Sequence, residues 1–340
     1  MKITLSILFL FLLLNVFSQS SSSLSCYVGG YEEEIDTTSI DQIHRYNQGL
    51  DYLSIGNIGL TGYNLLFNIE EHATFSPSLI IGNKQYLPKQ FDVKKPYTEL
   101  SYILGSKEEQ VLKVLHTQNI SQLANFSFGF DKVKSKGLYN NQASSNNHLF
   151  ANTWFKTKNE LHKISLHIDH ERIFNEHNGG VLYDSLFEQD LLLNRNRELM
   201  DVNLSFASST INRTNLQIEQ QFQFSQSFDS LNNGFSHILY TKVSGYKNDR
   251  VFKDSLLNMS YYSEILIDSV ITNDIIKYEG VNGIVGYQFN KCKEQNDLNF
   301  STFVKWEGIN YEQYIIDTLV TSLSIGTNLQ FTGNRFRLKL

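Results

Sequence analysis

Between Phe126 and Phe130 every second residue is phenylalanine, and Asn125, Ser127, Gly129 and Asp131 fill the places around them. Successive side chains of an extended chain point to opposite faces, so this stretch must separate an apolar medium from a polar one. The same period of two recurs along most of the chain beyond it. Tyr97 to Leu104 and Glu109 to Gln118 read as two earlier strands, joined at Gly105, Ser106 and Lys107 into a meander of antiparallel neighbours. In its clearest form Leu216, Ile218, Phe222 and Phe224 alternate with Gln217, Glu219, Gln221 and Gln223. Leu199 to Ser209 is expected to set Met200, Val202, Leu204 and Phe206 opposite Asp201, Asn203 and Ser205. Further strands are predicted over His148 to Thr157, Leu161 to Arg172, Phe235 to Ser244, Ser260 to Asp268, Ile275 to Phe289, Asp297 to Trp306 and Ser322 to Phe331. Proline agrees: the chain has only Pro77, Pro88 and Pro96, and none beyond, as a long sheet interior requires.

A soluble sandwich also alternates, with one face packed and the other wet. The surroundings of the strands favour a membrane instead. In hydrocarbon every backbone N–H and C=O needs an internal partner, so only helices and closed sheets can span it. Repeated segments of about ten residues, apolar toward lipid and polar toward a wet lumen, fit the second choice. Connections of two kinds are expected, short ones such as Ser209 to Arg213 and long polar ones such as Lys134 to Asn147 and Asn175 to Glu198. Tyr97, Trp154, Tyr240 and Trp306 fall at predicted strand ends, where interfacial aromatic girdles are built. The expected fold class is therefore all-β, an antiparallel transmembrane β-barrel of about twelve or more strands.

Lys2 followed by the apolar run Ile3 to Phe17 has the form of a secretory signal peptide, assigned to residues 1–18. That run is too short for a spanning helix, which takes about twenty residues. Residues 19–90 read as a polar lead-in, periplasmic or lumenal, carrying the acidic group Glu32, Glu33, Glu34 and Asp36, and residues 91–340 as the barrel. Cys26 follows Ser20 to Ser23 rather than the apolar run, which argues against lipidation, and Cys26 with Cys292 reads as two free thiols. Gly56, Gly59 and Gly62 lack the spacing of a dinucleotide fingerprint and reflect close backbone approach. The six Asn-x-Ser/Thr triplets, several inside predicted strands, are attributed to an Asn- and Ser-rich composition. A net charge of −6 offers no concentrated basic face and excludes nucleic acid as a partner.

Little chemistry is visible. His167, Asp169, His170 and Glu171 look like a metal cluster in one dimension, but on a strand His170 points away from His167 and Asp169. We expect no metal, no cofactor and no catalytic residue; no G-x-S-x-G elbow occurs. The residues expected to line a lumen, hold water and set ion preference are Asn125, Ser127, Asp131, Ser165, His167, Asp169, Asp201, Asn203, Gln217, Glu219, Gln221 and Gln223. The expected function is porin-like passive diffusion of small hydrophilic solutes or ions through an outer membrane, with membrane lipid as a partner and oligomers allowed. A secreted soluble β-rich binding or adhesive protein using the long loops, and an outer-membrane barrel hydrolase, are the alternatives.

The block Gly56 to Phe67, the run PYTELSYILGSKEEQVLKVLHTQNI, the phenylalanine strand after it, the segment NNHLFANTWFKTKN and the loop HNGGVLYDSLFEQD together resemble the putative porin family of Bacteroidetes outer membranes. The resemblance covers roughly Leu50 to Phe228 and rests on strand and turn patterns. It implies an outer-membrane barrel conducting small solutes, with no cofactor and no catalytic residues. Members tend to be longer, and this chain closes on Arg335 to Leu340 without a terminal aromatic, so it reads as a shortened member whose barrel closure is open.

Overall fold

The computed structural model describes residues 32–33, 52–54, 62–64, 90–183, 197–228, 234–256, 258, 260–262, 272–293, 296–314, 316–332 and 337–339. The signal-like run 1–18, Gly56, Gly59 and most of the strand predicted at Ser260 to Asp268 lie outside them. The described strands are β1 (Glu32–Glu33), β2 (Tyr52–Ser54), β3 (Gly62–Asn64), β4 (Gln90–Phe91), β5 (Tyr97–Leu104), β6 (Gln110–Ser121), β7 (Ala124–Ser135), β8 (Ser144–Lys156), β9 (His162–His177), β10 (Ala207–Phe228), β11 (Gly234–Asp254), β12 (Thr272–Lys293), β13 (Asn296–Gln313), β14 (Ile316–Thr332) and β15 (Arg337–Lys339). Strands β5 to β15 form one eleven-stranded sheet in sequence order, each antiparallel to its neighbours. β5 lies at one edge and β15 beside β14 at the other. Among the described residues no helix is long and apolar enough to cross a membrane.

The two faces of this sheet are inverted relative to a water-soluble protein. Leu100, Phe128, Leu149, Leu166, Ile218, Val243, Val285 and Trp306 stand exposed on one face, and Ile325 is 76% exposed. Asn125, Ser127, His148, Asn152, Asp169, Glu171, Arg213, Lys305 and Glu307 are buried on the other. Apolar side chains out and ionisable ones in is the arrangement that a hydrocarbon surround selects.

The connections also sort by end. At one end, the turn end, strands are joined through 122–123, 157–161, 229–233, 294–295 and 333–336; at the other, the loop end, the joins are 105–109, 136–143, 178–206, 255–271 and 314–315. All three long connections fall at the loop end, as expected of the two classes. Their bounds differ from expectation, however. Ser209 to Arg213 is not a turn but the interior of β10, whose 22 residues run well past the stretch needed to cross hydrocarbon. On its outer face Phe224, Phe222, Ile218 and Leu216 give way to Thr214, Asn212, Thr210 and Ser208, so the loop-end half carries no apolar outer row and loses the apolar signal.

Leu199 to Ser209 is likewise not a strand up to Ala207. Arg197–Leu199 forms one 3-10 turn, and Met200, Val202 and Leu204 are buried inside the connection 178–206 rather than turned to lipid. That connection is tied down by backbone bonds from Leu182 N to Asp201 O, Asn203 N to Gly180 O and Leu204 N to Asn178 O. Asn141 Nδ2 reaches His177 O, Leu204 O and Ala207 O at 2.8 to 3.0 Å.

The aromatic belt differs in membership. Trp306 is outward and exposed, but Trp154 is among the most buried side chains, and Tyr97 and Tyr240 share the inner parity of their strands. At the turn end the outer rows instead bring together Phe224, Phe235, His237, Tyr287 and Phe289, with His237 and Phe289 ring centroids 5.0 Å apart. On the inner face Tyr240 lies across Gly286 and Tyr246 across Gly280, where an added Cβ would meet the Tyr246 ring at 2.7 Å. A side chain at either glycine would lift these rings off the neighbouring strand.

Candidate functional site

The inner face is the candidate site, because it gathers nearly all the buried ionisable groups. Near the turn end β4, at the junction of the lead-in and the predicted barrel, crosses it: Trp154 Nε1 donates to Phe91 O at 2.8 Å, and Gln90 Nε2 to Ser165 Oγ at 3.1 Å. Asn119 Nδ2 donates to Asp92 Oδ1 at 2.7 Å. Asn125 Nδ2 in turn donates to Asn119 Oδ1 at 2.6 Å and Thr117 Oγ1 at 3.1 Å. Phe91 and Trp154 are 2% and 1% exposed, so this strand is packed against the sheet and not merely near it. β4 is also paired in parallel with β1.

Further along β10, Gln217, Glu219, Gln221 and Gln223 are half-buried on the same face, and Gln221 Nε2 donates to Glu219 Oε1 at 2.6 Å. Glu219 stands between Ser165 of β9 and Lys242 of β11 in the register. Beyond it lies the densest cluster. His148 sits 3.8 Å from Asp131 and 3.9 Å from Asp169, and His167 Nε2 is 2.8 Å from Asp169 Oδ1. His167 Nδ1 meets Asn152 Oδ1, and Asn215 Nδ2 donates to Asp169 Oδ2 at 3.2 Å. Glu171 accepts from Asn146 Nδ2 at 3.0 Å and pairs with Arg213 at 3.5 Å. Opposite, Tyr246 Oη donates to Glu307 Oε1 at 3.1 Å while Lys305 lies 3.6 Å from Glu307. Groups of both signs therefore neighbour one another on this face, with Asp169, Glu171 and Glu307 each within about 4 Å of a basic side chain. Toward the loop end Ile173, Ile211, Ile276, Tyr278 and Ile309 close into an apolar cluster with Tyr246 and Tyr311 packed on it.

Ten of the twelve predicted lumen residues share this face: Asn125, Ser127, Asp131, Ser165, His167, Asp169, Gln217, Glu219, Gln221 and Gln223. Asp201 and Asn203 do not. They belong to the connection 178–206, where Asp201 is exposed and Asn203 Nδ2 donates to Gly179 O at 3.0 Å. The mismatch arises because a buried loop alternates there as a strand would. His170 points outward and bonds Thr214 Oγ1 at 2.9 Å, away from His167 and Asp169. Among the described residues no three His, Cys, Asp or Glu side chains are grouped for a metal ion. Arg213, His148, Asn152, Tyr246 and Glu307 also belong to the face and are missing from the set expected from sequence. Parity was the available signal, since each lies an even number of residues from an inner-face neighbour on its own strand.

Above the strands, Lys107 Nζ donates to Glu198 Oε1 at 2.8 Å and Lys136 lies 3.9 Å away. These cations, the Lys107 hydrogen bond first, hold the Glu198 carboxyl below its ordinary range. The contact ties the connection 178–206 to the β5–β6 turn across the loop end. Burial, with a hydrogen bond to Asp254 Oδ2 at 2.7 Å, pushes the Tyr262 phenol up in the neighbouring connection.

A family model described as "Putative porin" matches residues 30–340. No curated protein matches the chain. Among solved structures, the siderophore receptor PiuA from Acinetobacter baumannii aligns with a TM-score of 0.42 at 8% identity, over 73% of this chain and 49% of its own. The ferric-catecholate import receptor Fiu from Escherichia coli, in its open form, aligns with a TM-score of 0.33 at 9% identity, over 72% of this chain and 53% of its own. The chain thus spans about half the length of these two receptors.

Proposed function

The chain belongs to the putative porin family, and from that membership we propose that it is an outer-membrane β-barrel whose polar lumen passes small hydrophilic solutes or ions by passive diffusion. It is a conduit in this reading and not a catalyst. The observation that carries it is the inverted sheet: exposed Leu, Ile, Val and Phe on one face, buried Asp, Glu, His, Arg and Lys on the other. Such a sheet placed in lipid cannot leave β5 at one edge, or β15 and the part of β14 beyond it at the other, without hydrogen-bond partners, so closure into a barrel is part of the proposal. The turn end then faces the periplasm and the long connections face outward. Solute choice follows from the Glu219 and Asp169 carboxylates against Arg213, Lys242 and Lys305 around the wall.

Planar-bilayer recording of refolded full-length protein tests this. Discrete conductance steps are expected, and exchange of Glu219 for Lys should move the reversal potential toward anion preference. Absence of steps from protein that has inserted would rule out a pore, and an unmoved reversal potential would take Glu219 off the permeation route.

A further inference from the structure

On the outer face, one hydrogen-bonded row runs Lys132, Asn147, Arg172, Asn212, Asp249, Lys277, Glu312 and Asp317 across β7 to β14. Its parity is that of Phe128, Leu149, Ile168 and Leu216, all exposed, so every member projects away from the inner face. The row divides into unlike halves. From β11 to β14 the charges are of both signs: Lys277 lies 3.4 Å from Glu312, and in the row below Lys247 lies 4.0 Å from Glu279. From β7 to β10 there are two cations and two amides and no carboxylate, and neither Lys132 nor Arg172 has an ion-pair partner among the described residues. Strands are spaced about 4.8 Å apart, so the two cations stand roughly 10 Å from each other with the Asn147 amide between them. One step toward the turn end lie Phe130 and Leu149 beneath Lys132 and Asn147, with the bonded pair His170 and Thr214 beneath Arg172 and Asn212, and the next row is Phe128, Ala151, Ile168 and Leu216.

We propose that Lys132, Asn147, Arg172 and Asn212 bind the phosphate of a phosphorylated lipid headgroup, whose acyl chains lie on Phe128, Phe130, Leu149 and Ile168. This rests on the membrane reading above. Arg gives planar paired donors, Lys a point charge and each Asn an amide N–H, which suits the oxygens of a phosphate monoester. An apolar wall directly beneath Lys132 and Asn147, and one row further on beneath Arg172 and Asn212, favours a lipid over the free ion, since only a lipid contacts both levels. The mixed-charge half of the row offers no net attraction and is the internal control.

Full-length protein is inserted into phosphatidylcholine vesicles with and without phosphatidic acid, extracted in mild detergent, and its retained lipid counted by native mass spectrometry. Phosphatidic acid should be retained in preference to phosphatidylcholine. Lys132→Gln and Arg172→Gln should each cut retention roughly fivefold, a figure that follows from the attraction of one cation near an anionic surface. Lys277→Gln, from the mixed-charge half, should leave it unchanged. Equal retention by K132Q, R172Q and the parent protein overturns the site. Displacement of the lipid by millimolar inorganic phosphate overturns the lipid and leaves an ion site. Failure to insert into plain phosphatidylcholine, read from the absence of a heat-modifiable band, overturns the membrane reading and this proposal together; insertion without retained phosphatidic acid overturns this proposal alone.

Discussion

Phe128 and Arg213 show how one parity rule gives two residues opposite fates. Phe128 is outward on β7, in a row with Ala151, Ile168 and Leu216, with further apolar rows toward the turn end. Phe128→Arg sets a cation in that band and should cost about 2 to 4 kcal/mol if the row lies at mid-membrane. Urea titration of folding into vesicles measures it, and a loss under about 1 kcal/mol would place the row at an interface. Arg213 is inward, 5% exposed, with Glu171 at 3%. Arg213→Met keeps the length of the side chain but leaves Glu171 buried beside Asp169 without that cation. The expected loss is about 3 to 5 kcal/mol, recovered in part by adding Glu171→Gln. No recovery in the double variant would mean that the guanidinium acts through packing. Phe128 is legible in the sequence because its neighbours alternate cleanly. Arg213 is not, because the outer face here carries only Thr210 and Asn212 while the inner face sets Ile211 between Ser209 and Arg213, so no apolar row alternates with a polar one and the stretch resembles a turn.

At the scale of elements, alternation locates strands wherever one face meets an apolar medium. Tyr97–Leu104 is legible with its observed bounds, while β10 and β11 are legible only without their loop-end halves. The opposite mismatch occurs at 199–206, where Met200, Val202 and Leu204 alternate because they plug a loop, with no ladder beneath them. Nothing local distinguishes the two cases; only the long-range bonds of Asn141 and Asn203 do. The clamp on this loop carries a pH dependence. Lys107 holds the Glu198 carboxyl below its ordinary range, so the contact stabilises the loop fully above the unfolded carboxylate range. It is lost as pH falls through the depressed folded value. Amides of Leu182, Asn203 and Leu204 should therefore exchange faster, relative to the intrinsic rate, once that value is passed. Lys107→Gln should produce the same loosening at neutral pH. Protection that is indifferent to both would mean that the Asn141 and Asn203 bonds hold the loop without the Glu198 contact.

For the whole molecule, the proposed function depends on how much of the lumen is open, and the inner face limits it at two levels. At the loop end the Ile173, Ile211, Ile276, Tyr278 and Ile309 cluster occupies the space inside β9 to β13, and at the turn end β4 lies against β7 and β8 with Phe91 and Trp154 buried. Sequence composition assigns residues 19–90 a polar, loosely attached role from their serine-rich and acidic stretch, and nothing local shows the docking of β4, because Phe91 at the boundary meets Trp154 more than sixty positions away in the chain. A channel so lined should conduct weakly. Trp154→Ala removes both the ring that packs on Phe91 and the indole N–H that holds its carbonyl, so β4 should leave the wall and the unit conductance should rise. Trp154→Phe keeps most of the packing and loses only the hydrogen bond, so its conductance should fall between the two. Single-channel recording at fixed salt orders the three proteins. If all three conduct alike, the lead-in does not set the bore and the isoleucine cluster at the other end does, which Ile211→Ala then shows by a larger step.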